Sequence, residues 1–140
     1  MEMRDWQTAS SLVASLLEED PNDTAALMGK GALLIVEGET DRGIEVLKTI
    51  IGRLEDRGDL AAVYSNMGIA SRIQGKYPAA IEYYRQSLAY RDKPVVLLNL
   101  AVAYEKSGSK LKAKKCFEAF VDRYPDHPQK ALVVERLRRY

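Results

Sequence analysis

Few residues in this 140-residue chain are of types that could do chemistry. The one histidine, His127, lies in Pro125-Asp126-His127-Pro128, whose composition predicts a solvated residue in a turn between helices. The one cysteine, Cys116, precedes Phe117 on a helical stretch; it reads as packing, and its being alone excludes an internal disulfide. This content gives no soft-ligand set for zinc, no His-Glu-x-x-His pair, no G-x-x-x-x-G-K phosphate loop, and no nucleophile with a base. The expectation is a protein that is not an enzyme and takes no metal and no cofactor. Asn22-Asp23-Thr24 satisfies the glycosylation tripeptide, but helix capping is the better-supported role. Lys106, Lys110, Lys112, Lys114 and Lys115 form a basic cluster. Binding of single-stranded nucleic acid wants aromatics beside the charge, and Tyr104 and Phe117 fall on core positions, so a solvated helix face and no nucleic-acid partner are predicted.

The elements that must position these residues follow from composition and spacing. With 46% hydrophobic and 29% charged residues, the chain suits one compact domain, 1–140, and not a disordered segment. The net charge of +1 announces no polyanion binder, yet residues 1–60 carry 6 basic and 13 acidic side chains and residues 61–140 carry 15 and 7. No apolar run approaches the roughly 20 residues that span a bilayer. The start, Met1-Glu2-Met3-Arg4-Asp5-Trp6, lacks the apolar core of a signal peptide. No membrane insertion is expected, with a cytoplasmic location by default and a bacterial envelope one if the chain is truncated.

Gly and Pro at Pro21, Gly38, Gly58, Gly75, Pro94, Gly108 and Pro125 cut the chain into segments one helix long. Between them apolar residues recur at three and four, as in Leu97, Leu100, Ala101 and Tyr104, with no sustained strand alternation. Eight helices are predicted, at about 4–20, 24–37, 40–56, 59–74, 77–91, 94–107, 110–124 and 128–139. Asn22, Asp23 and Thr24 offer caps to the second helix and Asp59 to the fourth. Pro78 sits in the first turn of the fifth, and Gly38, Gly75 and Gly108 close helices where a left-handed residue is easiest for glycine. Short connections make neighbouring helices antiparallel.

A repeat underlies this punctuation. Small residues Ala9, Gly43, Ala80 and Ala113 are spaced 34, 37 and 33 apart, each followed four residues on by a large one, Val13, Leu47, Tyr84 or Phe117. Upstream of each post-helix glycine stands a second block: Leu27, Lys30, Gly31; Tyr64, Met67, Gly68; Leu97, Leu100, Ala101. In these residues the sequence resembles the tetratricopeptide repeat family, a 34-residue helix–turn–helix. The resemblance is best over 94–127, through Leu97, Leu100, Ala101, Tyr104, Gly108, Ala113, Phe117 and Pro125. The repeat at 61–93 has Ser71 where an aromatic is usual; that at 24–60 has Gly43 for alanine and is three residues longer. The resemblance implies an all-α, right-handed superhelical solenoid of antiparallel helix pairs. It divides the chain into a half repeat at 4–23, repeats at 24–60, 61–93 and 94–127, and a terminal helix at 128–140.

The resemblance also implies a function. The first helix of each repeat lines a concave surface, so the carried-over groove positions are Met28, Ala32 and Ile35; Ser65, Asn66, Ile69 and Arg72; and Val95, Leu98, Asn99 and Val102. Asn66 and Asn99 fall where the family often uses asparagine to hold a peptide backbone, a role an amide suits because it donates and accepts at once. Of the positions matching the basic clamp of chaperone-binding members only Asn66 agrees, which disfavours capture of an acidic chaperone tail. The expected function is a protein-interaction scaffold for a peptide or helix of a partner protein. The alternative is head-to-tail self-assembly into a homo-oligomer. It rests on apolar stripes expected at Trp6, Val13, Leu16 and Leu17 in the first helix and at Leu132, Val134 and Leu137 in the last.

Overall fold

The structure, a computed structural model, describes residues 3–140, with the side chains of Met3, Arg4 and Trp6 outside the description. Among the described residues the regular structure is helical: α1 (Met3–Glu19), α2 (Thr24–Val36), α3 (Thr40–Ile50), α4 (Arg57–Ile73), α5 (Tyr77–Tyr90), α6 (Pro94–Lys106), α7 (Lys110–Arg123) and α8 (Lys130–Leu137). Helices α2/α3, α4/α5 and α6/α7 pair as hairpins, and α3, α5 and α7 each pack on the next helix along the chain, α4, α6 and α8 respectively. The result is an all-α solenoid.

Local chemistry explains most of the boundaries. Asp23 caps α2, its carboxylate accepting from the Ala26 N–H at 3.0 Å. Gly38, Gly75 and Gly108 adopt φ of 90°, 74° and 88°, the left-handed region that ends α2, α4 and α6. The boundaries of three helices differ from expectation, α8 running over Lys130–Leu137 and not 128–139. Asp56, not Asp59, caps α4 by accepting the Asp59 N–H at 2.9 Å, so the helix begins two residues early. Helix α3 stops at Ile50 and passes through a 3-10 turn, Ile51–Arg53, before Leu54 turns extended.

Each hairpin is locked by a small residue against a large one. A Cβ added at Gly31 would lie 2.5 Å from Leu47 Cδ2, and one added at Gly68 would lie 2.6 Å from Tyr84 Cε1. Ala101 and Phe117, in the same register, are both buried. Ala80 and Ala113 are wholly buried at the matching contacts. The open end of each hairpin is closed by an arginine the sequence did not single out. Arg53 donates to the Asn22 carbonyl at 3.0 Å, Arg57 to the Ala89 carbonyl at 2.8 Å and the Tyr90 carbonyl at 3.1 Å, and Arg123 to the Asp92 carboxylate at 3.3 Å. Arg57 thereby meets the last carbonyls of α5, where unpaired acceptors gather and a guanidinium suits them.

Candidate partner-binding groove

Helices α2, α4 and α6 present equivalent residues at spacings of 37 and 33, giving the rungs Met28, Ser65, Leu98 and Ala32, Ile69, Val102. All six are half-buried. Met28 and Ile69 pack one side against the core of Ile35, Leu47 and Met67, and Leu98 and Val102 do the same against that of Leu97 and Phe117. These side chains therefore seal the seams between helices and leave only part of their surface for a partner. Val95 is 58% exposed at the start of α6, and Arg72 is exposed near the end of α4.

Ile35 does not join them. It is 4% exposed, and a Cβ added at Gly43 would meet its Cγ1 at 2.6 Å. Where the other repeats have Ala80 and Ala113, Gly43 leaves a space that the Ile35 side chain fills, which makes it a core residue and corrects its expected place in the groove. The next residue takes the exposed position instead. Val36 is 64% exposed and Ile73, 37 residues on, is 56% exposed. They stand four residues after Ala32 and Ile69, on the same helix face. Extending each rung by one helical turn would have found them.

Asn66 and Asn99 occupy equivalent, half-buried positions 33 residues apart. Neither amide side chain hydrogen-bonds to any described residue, so both keep donors and acceptors for something outside the fold. Arg72 forms no ion pair among the described residues. Its guanidinium lies near the Tyr84 hydroxyl, which is buried without a hydrogen bond of good geometry. Burial pushes the Tyr84 phenol up, and Arg72 partly offsets this.

Other residues singled out in the sequence have structural places. His127 is half-buried rather than solvated: its ring stands edge-on to Phe120 at 5.0 Å and its Nδ1 accepts the Gln129 N–H at 3.1 Å. Cys116 packs at the edge of the core, where burial pushes the thiol up. The lysine cluster is exposed, with Lys112 5.8 Å above the Tyr104 ring. Two clefts lie away from these rungs: one of about 430 Å³ between α1 and α2, and one of about 990 Å³ between α7 and α8.

The register seen in these helices recurs in known proteins. Family models described as tetratricopeptide repeat match residues 61–94 and 95–127. The chain belongs to the tetratricopeptide repeat family. Two solved structures of MamA superpose on this repeat protein: one with a TM-score of 0.72 and 19% identity, over 99% of this chain and 92% of that one, the other with 0.71 and 23%, over 96% and 75%. They share its fold. Among curated proteins it is similar to the uncharacterized protein ycf37 of Cyanophora paradoxa, 29% identical over 102 residues, or 72% of this chain and 56% of that protein. It is also similar to the photosystem I assembly protein Ycf3 of Synechococcus sp. (strain WH7803), 27% identical over 95 residues, or 63% and 55%. This repeat protein thus spans a little over half the length of the curated relatives it matches. Family membership supports a protein-interaction scaffold and points away from catalysis. Among the described residues no helix is long and apolar enough to cross a membrane.

Proposed function

We propose that the chain, as one unit of stacked repeats, binds an extended peptide or helix of a partner protein along the face lined by α2, α4 and α6, without catalysis. The observation that carries this is the pair Asn66 and Asn99, two half-buried amides in one register with no hydrogen bond to a described residue. They would fix a ligand backbone, while Met28, Ala32, Val36, Ser65, Ile69 and Ile73 would take apolar side chains at one end and Val95, Leu98 and Val102 at the other. Arg72, free of an ion pair among the described residues, would favour an acidic group beside Ile69. An assembly role, which its name states for the Synechococcus relative, suits a scaffold that holds a segment of another subunit.

The test uses a peptide selected from a displayed library on the wild-type chain and titrated by fluorescence anisotropy. Micromolar affinity is expected, about −8 kcal/mol, because ordering an extended ligand offsets much of the contact energy. Asn66→Ala with Asn99→Ala should weaken binding at least tenfold and leave the thermal midpoint nearly unchanged. Binding that survives this change and fails on charge reversal at Lys112 and Lys115 would refute the groove.

Self-association is a second reading. It is favoured by exposed leucines at both ends of the solenoid, Leu12 and Leu16 in an acidic setting and Leu111 and Leu132 in a basic one. Of the stripes expected from sequence, Val13, Leu17, Val134 and Leu137 are half-buried and Trp6 lies outside the described side chains, so Leu16 and Leu132 are the members that stand exposed.

A further inference from the structure

The cleft between α7 and α8 has a cause that can be read from the repeat register. Along the preceding seam, Ile81 of α5 packs in the same cluster as Ala103 of α6. Thirty-three residues on, those positions are Lys114 and Arg136, two cations that cannot pack together, and the seam opens into about 990 Å³. Its carboxylates are already engaged: Glu105 holds Arg136 and the Tyr140 hydroxyl, and Glu135 pairs with Arg138. Lys110 and Arg139 have no ion-pair partner among the described residues, and Lys114 has only a loose one, Glu118, at 3.9 Å. Leu111 and Leu132, 68% and 71% exposed, stand among these free cations.

Helix α1 carries the complementary stripe. Asp5, Leu12, Leu16 and Glu19 fall within one narrow arc of the helix, while Ser10, Val13, Ala14 and Leu17 face α2. Leu12 is 59% and Leu16 37% exposed. Residues 1–29 carry 6 acidic side chains and 1 basic one, whereas residues 106–140 carry 10 basic and 4 acidic.

We infer that the α7–α8 cleft receives helix α1 of a second copy of this chain. Leu12 and Leu16 seat on Leu111 and Leu132, and Asp5 and Glu19 face the free cations of the rim. This rests on the self-association reading and names its surface. Each copy offers one cleft and one α1, so the contact is heterologous and propagates head to tail unless it closes into a ring.

Light scattering of the whole chain against concentration, in low salt and in added salt, is the test. The mass should rise above 15.7 kDa with concentration in low salt and fall back as the Debye length shrinks. Leu111→Ser with Leu132→Ser, both at exposed positions, should weaken association at least tenfold with an unchanged circular dichroism spectrum. Lys114→Glu with Arg139→Glu should weaken it, as should Asp5→Lys with Glu19→Lys, and mixing the two charge-reversed chains should restore it as a mixed complex. A wild-type chain that associates but ignores the leucine and charge changes would overturn the cleft while leaving self-association standing. A mass fixed at 15.7 kDa up to millimolar protein would overturn both.

Discussion

Replacing Gly68 by alanine tests whether the hairpins are held by small residues set against large ones. The new Cβ would lie 2.6, 2.7 and 3.1 Å from Cε1, Cδ1 and Cζ of Tyr84. Ordinary carbon contacts are about 3.5–4.0 Å, so the ring would have to retreat by close to 1 Å. It has nowhere to go, because Tyr84 is 0% exposed and packs in the core with Val96 and Leu100. Overpacking of this kind costs about 1–3 kcal/mol, and a clash with an enclosed ring belongs at the upper end. Alanine returns about 1 kcal/mol of helix propensity, since Gly68 lies inside α4. The net loss is then about 1–2 kcal/mol, or roughly 3–7 °C in thermal midpoint for a domain of this size. Gly29→Ala is the control: it also lies inside a helix, and its Cβ would meet only the Val13 Cγ2 methyl, at 3.0 Å. That variant should be neutral or more stable by up to about 1 kcal/mol. Thermal and urea unfolding followed by circular dichroism would measure both. A Gly68→Ala chain as stable as Gly29→Ala would refute the interlock.

Further outcomes come from the same packing and from the last helix. Ala80→Leu and Ala113→Leu, at wholly buried contacts, should each cost about 1–3 kcal/mol in urea unfolding, and full tolerance of both would contradict the repeat register. Asp56→Ala removes the cap that moved the start of α4 and should cost about 1 kcal/mol, read in the same assay. Burial pushes the Glu105 carboxyl up, but hydrogen bonds from Arg136 and Tyr140, with the charges of Arg136 and Lys106, outweigh it and hold the group below its ordinary 4.5. A depressed carboxylate stabilises the fold above its unfolded value, so the attachment of α8 should loosen as pH falls through that of the folded state; hydrogen exchange of 130–140 would show it. Burial, the bond to Glu105 and the charge of Glu105 push the Tyr140 phenol up to about 12. That contribution is complete below the ordinary 10 and is lost as pH rises through about 12. Ultraviolet titration should show Tyr140 among the late-ionising tyrosines, with Tyr84, and Glu105→Gln should move one late step back toward its ordinary value.

Much of the fold was legible in the chain because it is local. A glycine with positive φ ends a helix wherever it stands, Asp23 caps the helix that starts beside it, and apolar residues at three and four define a face whatever lies opposite. Recurrence at 33 to 37 residues set Gly68 and Ala101 in one block and Tyr84 and Phe117 in another, and the folded hairpins brought Gly68 against Tyr84. Register gives the side of a helix on which a residue stands, and so it placed Asn66 and Asn99 in equivalent positions. It does not give the space a side chain finds there. Ile35 left the groove because the missing methyl of Gly43 gave it room, and Val36 and Ile73 took the exposed edge. His127 turned onto Phe120, and three arginines reached carbonyl or carboxylate groups 31 to 33 residues away. The cleft beside α8 is lined by Lys114 and Arg136, at the register positions that Ile81 and Ala103 hold in the seam before it. Each of these depends on volume or charge supplied from another helix, and only close packing of the folded chain sets those against one another.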